Sequence, residues 1–138
     1  MSSVHAGGLV KVGEATVPCG PEAPFLARTA VSRWLNGRAH AQLHEDACLL
    51  VSELVTNSVL HAGQPAGAPV HIRAAAVDGL VRVEVHDRGH GPVRARAPGR
   101  PEGGFGLHLV NVLAASWGVS HDHGTRVWFE LAARSPAA

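Results

Sequence analysis

Two runs of alternating apolar residues, separated by Asp78-Gly79, limit what this chain can fold into. Val70, Ile72 and Ala74 alternate with His71 and Arg73; Val81, Val83 and Val85 alternate with Arg82, Glu84 and His86. A period of two puts each apolar set on one face of an extended strand, and Asp-Gly is a tight-turn signal. The pattern predicts an antiparallel hairpin whose valine face has to be covered by something else.

The cover lies upstream. Leu26, Ala30, Val31, Trp34 and Leu35 recur at helical spacing between Glu22 and Leu35, and Asn36-Gly37 is a stop signal. From about Ala41 to His61, Leu43, Ala47, Leu50, Val51, Leu54, Val55 and Val59 make a broad apolar stripe, ended by the segment from Gly63 to Gly67. Residues 7–18 are expected to hold an edge strand. Gly106 to Ala115 reads as a third helix with Leu107, Val110 and Leu113 inward, and Trp117 to Leu131 as a hairpin turning near Asp122–Gly124. Residues 88–104 hold five Gly, three Pro and four Arg (Arg88, Arg94, Arg96 and Arg100) without periodicity, which suits a lid over a site. Because helices and strands are clustered, the expected class is α+β. The architecture is a two-layer α/β sandwich with helices on one face of a mostly antiparallel sheet.

A chain of 138 residues fits one domain, 1–138, with flexible termini. With 46% hydrophobic and 17% charged residues it has the composition of a globular protein. A formal net charge of +1 gives no long-range field for direct contact with nucleic acid or an anionic membrane. No apolar run approaches the ~20 residues of a membrane span. Residues 1–10 lack the basic start and apolar core of a secretion signal. Cys19 and Cys48 make no disulfide framework, and Cys48 is expected as a buried reduced thiol. The expected location is the cytoplasm.

Three polar patterns interrupt this apolar frame. Glu53, Asn57 and His61 are spaced by four and line one side of the second helix. A side-chain amide there suits Mg²⁺, and a nearby carboxylate suits general base work. Asp87-Arg88-Gly89-His90-Gly91 follows the strand ending at Val85, where a carboxylate can accept a hydrogen bond from an adenine amine. Gly103-Gly104-Phe105-Gly106-Leu107-His108 opens the third helix, where exposed backbone N–H groups bind phosphate. It is neither a Walker loop, lacking Gly-Lys-Ser/Thr, nor a dinucleotide fingerprint, lacking a parallel βαβ unit. Taken singly, each pattern also fits a plainer structure: a solvated strip, a strand-ending turn, a linker. The His86, His90, His121 and His123 pairs lack cysteine or carboxylate partners at metal-site spacing.

The order of the three resembles the Bergerat-fold (GHKL) ATP-binding superfamily of gyrase, chaperone, histidine-kinase and mismatch-repair ATPases. E53-L-V-T-N57-S-V-L-H61-A62 resembles its Asn box, D87-R-G-H-G91 and G103-G-F-G106-L107 its glycine boxes, and G124-T125-R-V-W-F-E-L131 its closing strand. Within the superfamily the chain is most similar to the anti-sigma regulatory factors, small serine/threonine kinases. The similarity rests on W34-L, the helix from Glu53, the compact lid and the G-L-H-L-V-N-V-L-A-A-S-W-G-V run.

The resemblance implies ATP and Mg²⁺ as cofactors, with Asn57 holding Mg²⁺ and Glu53 as the catalytic carboxylate. Asp87 would bind the adenine amine, with Gly89 in the same turn and Gly91 close to the base. Gly103, Gly104, Gly106, Leu107 and His108 belong to the phosphate loop, and Thr125 supports the adenine pocket. His61 would contact phosphate or lid, and Phe105 departs from the polar residue common at its position. Implied partners are a sigma factor and an anti-anti-sigma protein of the STAS type, with a homodimer usual for such kinases. A non-catalytic ATP-dependent switch acting by partner exchange stays open beside the kinase. The catalytic half of a histidine kinase is not expected, since only about twenty residues precede the first helix.

Overall fold

The computed structural model describes residues 8–61, 63–89 and 105–133. Its elements are β1 (Val10–Pro18), α1 (Ala23–Leu35), α2 (Ala41–His61), β2 (Pro69–Val77), β3 (Leu80–Asp87), α3 (Phe105–Leu113), β4 (Ser116–Ser120) and β5 (Thr125–Ala132). The five strands form one sheet in the order β1-β2-β3-β5-β4. Every neighbouring pair is antiparallel. The expected two-layer sandwich is therefore the observed fold.

The alternation seen in the sequence sets which face is covered. Val70, Ile72 and Ala74 of β2, Val81, Val83 and Val85 of β3, and Val127, Phe129 and Leu131 of β5 are all buried. They form one core with Ala27, Val31 and Leu35 of α1 and Leu50, Val51, Leu54 and Val55 of α2. The opposite face of the sheet is polar and internally paired. Arg82 meets Glu84 and Glu130 at 3.0 Å each, and Ser116 donates to Glu130 at 3.1 Å. The Arg82 guanidinium also stacks 4.2 Å over Trp128. Glu130 is 4% exposed, so these bonds satisfy a carboxylate that would otherwise be costly to bury.

Two sequence expectations need adjusting. Leu26 is 37% exposed, and Ala27 takes the inward position on α1. The third helix ends at Leu113 rather than Ala115, because the Ala115 N–H leaves the helix to bond the Glu130 carbonyl at 2.8 Å. The chain is thereby delivered directly into the β4–β5 ladder.

Trp34 packs on the backbone of β1 at Gly13, beside a register shift between Lys11 and Gly13. A Cβ at position 13 would lie inside the indole ring. Gly13→Ala should therefore cost about 1–3 kcal/mol through overpacking. Urea unfolding checks it, and an unchanged midpoint would show that Trp34 moves aside freely.

Cys19 and Cys48 are free and buried. Burial is the main cause pushing both thiols above the ordinary range, with Asp87 adding to the effect at Cys19. A raised pKa keeps a thiol protonated and unreactive at neutral pH. Alkylation at pH 7 should leave both cysteines unmodified in the folded protein and label both in denaturant. Mass spectrometry distinguishes the two results.

Candidate functional site

The end of β3 is where the helical layer and the sheet exchange polar contacts. Asp87 is the last residue of β3, pairs with Thr125 across the ladder to β5, and is 4% exposed. Its Oδ1 accepts the Gly89 N–H at 2.8 Å, an Asx-type turn that bends the chain out of the strand. Its Oδ2 accepts the Ser58 hydroxyl from α2 at 2.7 Å. Thr125 Oγ1 donates to the Gly89 carbonyl at 2.9 Å, closing the loop from the β5 side. Three elements thus fix one carboxylate.

Gly124 makes that closure possible. Its φ is +109°, and a Cβ there would overlap the Asp87 carbonyl oxygen. A side chain at 124 would push the β4–β5 turn away from the very strand end that carries the carboxylate.

On α2, Asn57 precedes Ser58 and is likewise 8% exposed. A side-chain amide at this position carries both donor and acceptor groups. Glu53 lies one turn earlier and is half-buried. An acid, an amide and a hydroxyl therefore occupy one stretch of helix beside a clamped carboxylate. Cys19, just after β1, is buried, and the Asp87 charge adds to the rise in its thiol pKa that burial causes.

The other residues singled out in the sequence fall as follows. Phe105 and Gly106 open α3, Leu107 is fully buried in the core, and His108 is exposed. His61 is the last residue of α2, but its side chain, like that of Phe105, lies outside the described residues. Gly91, Gly103 and Gly104 also lie outside them, as do residues 90–104 of the expected lid.

Sequence reasoning missed Ser58. Its signal was present: Ser58 is three residues beyond Val55, four beyond Leu54 and seven beyond Val51, so it falls on the apolar stripe. A hydroxyl at a core-facing position needs a partner, and the nearest carboxylate on the sheet supplies it.

Among the described residues no helix is long and apolar enough to cross a membrane. No curated protein is similar enough to the chain to match it. Among solved structures, one similar chain is described as the RsbU and RsbW domains of Rv1364c from Mycobacterium tuberculosis. The two share 23% identity with a TM-score of 0.65, over 91% of this chain and 34% of that one. The present chain therefore spans about a third of that neighbour's length, and the likeness is one of fold. The model of the histidine kinase-like ATPase domain matches residues 20–131, a span running from the turn before α1 to the end of β5. With most of the chain matched, including α2, the Asp87 turn and the closing strand, the protein belongs to the histidine kinase-like ATPase domain family.

Proposed function

We propose that the protein binds ATP with Mg²⁺ at the Asp87 end of the sheet and acts as an anti-sigma regulatory serine/threonine kinase. The observation that carries the binding reading is the clamped, buried carboxylate. Each oxygen of Asp87 accepts one hydrogen bond and keeps a lone pair free, so the group can accept an exocyclic amine. Guanine presents a carbonyl at the same position and would face an acceptor with an acceptor, which gives adenine its advantage.

The donor set fits the metal as well. The nearly buried amide oxygen at Asn57 is a hard ligand of the kind Mg²⁺ takes, and Glu53 supplies a carboxylate one turn away. Asn57 would hold Mg²⁺, which would supply neutralisation of phosphate charge. Glu53 then orients a substrate hydroxyl and accepts its proton, while Asn57 and the start of α3 fix the position of the transferred group. Gly103, Gly104 and Gly106 belong to the phosphate-binding loop in this reading, with His61 and His108 beside it.

The substrate class follows from the sequence resemblance to anti-sigma regulatory factors, and the fold likeness to a chain with an RsbW domain supports it. The proposed phosphoacceptor is a serine or threonine of a STAS-type anti-anti-sigma protein, and the second partner is a sigma factor. The proposed setting is the cytoplasm, with the protein acting as a homodimer. Purified protein incubated with ATP, Mg²⁺ and a cognate STAS protein should yield phosphoserine or phosphothreonine on the partner. Its absence from a folded, ATP-bound protein would overturn the kinase reading and leave a switch working by partner exchange.

Two substitutions separate binding from chemistry. Glu53→Gln should keep nucleotide affinity within a few-fold yet lower the single-turnover transfer rate by about 10²–10⁴, the usual weight of a general base. Transfer at the parent rate would remove Glu53 from catalysis. Ser58→Ala removes one of the bonds that orient Asp87 and should weaken ATP binding about 5–30-fold, equivalent to ~1–2 kcal/mol. Calorimetric titration reads that loss, and GTP run alongside should gain relative to ATP if Asp87 orientation sets the base preference.

A further inference from the structure

A groove of about 850 Å³ runs between α1 and α2, away from the Asp87 site. On α2, Cys48 in the groove and Asn57 at the site are nine residues apart, which is 2.5 helical turns and so opposite faces of the helix. The groove is held open by side chains rather than left as a gap. The Ser32 hydroxyl and His44 Nε2 meet across it at 2.9 Å, and the Cys48 thiol contacts the Arg28 carbonyl at 3.9 Å. These cross-links fix the spacing of the two helices and therefore the width of the floor.

Its chemistry is cationic with an apolar rim. Arg28 and Arg33 line it from α1, and neither makes an ion pair with another described residue. Glu45 is the one carboxylate in the lining. Leu49, also in the lining, is 40% exposed, and Phe25, over which the Arg28 guanidinium sits at 5.9 Å, is 60% exposed. Exposed apolar side chains rimmed by charged groups are the usual make-up of an interaction surface.

We propose that this groove docks an acidic, leucine-bearing segment of a partner polypeptide, at a site separate from the nucleotide. Charge complementarity selects the sign of the occupant, since two guanidinium groups face one carboxylate. Apolar side chains beside the charges, Leu49 and Phe25, select a polypeptide over a small anion. Leu49 and Phe25 then receive the apolar side chains that lie between the acids. The inference stands on the α1–α2 surface alone and does not depend on what the Asp87 site binds.

The test uses the full chain and a fluorescein-labelled twelve-residue peptide of alternating Glu and Leu, followed by fluorescence anisotropy. Binding should weaken at least tenfold, about 1.4 kcal/mol, in the Arg28→Gln/Arg33→Gln variant and more in Arg28→Glu/Arg33→Glu. Leu49→Ser should weaken it without changing its salt dependence, whereas the arginine variants should flatten that dependence. Hydrogen exchange should slow over residues 28–36 and 44–49 on peptide addition, and the variants without peptide should melt at the parent value. No binding, equal binding to the arginine variants, or full displacement by millimolar inorganic phosphate would each overturn the proposal.

Discussion

A carboxylate set between a helical layer and a sheet has to be satisfied by both, and Asp87 is satisfied by both. The Ser58 hydroxyl reaches it from α2, the Gly89 amide from its own turn, and Thr125 ties that turn to β5. Left without these partners, a carboxylate only 4% exposed would carry a desolvation cost on the order of several kcal/mol. The bonds therefore do structural and chemical work together. They align α2 over the strand end, and they leave a rigid acceptor with unused lone pairs.

The remainder of the sheet is arranged so that this one polar junction can exist. Apolar residues of β2, β3 and β5 fill the covered face, and the open face closes its charges on itself through Arg82, Glu84, Glu130 and Trp128. The helical layer thus meets an almost wholly apolar surface except at the end of β3. Gly124 permits the last approach there, since the β4–β5 turn and the Asp87 backbone come too close for any side chain.

Much of this was legible from periodicity. Alternation around Asp78-Gly79 specified the hairpin and its buried face, and the stripe from Leu43 to Val59 specified α2 between Ala41 and His61. Periodicity failed at α1, where Leu26 is the more apolar residue, yet Ala27, four residues before Val31, is the buried one. It failed again at Ala115, where a ladder hydrogen bond outweighs continued helix. Of the site, Asp87, Asn57 and Thr125 stood out as polar residues in motif positions, whereas Ser58 did not. A serine costs little in a helix and signals nothing by composition; only its place on the apolar stripe marks it as partnered.

The two surfaces proposed to bind ligands lie on opposite faces of α2, so the stiffness of that helix governs what either can do to the other. Ser52 and Thr56 donate to the Leu49 and Ser52 carbonyls at 2.9 and 2.8 Å, within the stretch that carries Glu53 and Asn57. Such back-bonds satisfy the hydroxyls without outside partners and favour slight bending of the helix. A bend there would change the distance between Ser58 and Asp87 at one face and the Ser32–His44 contact at the other. Both contacts are short hydrogen bonds between fixed elements, and neither tolerates a shift of more than a few tenths of an ångström without weakening. The curvature of α2 is thus held from both sides, by one hydrogen bond at each face.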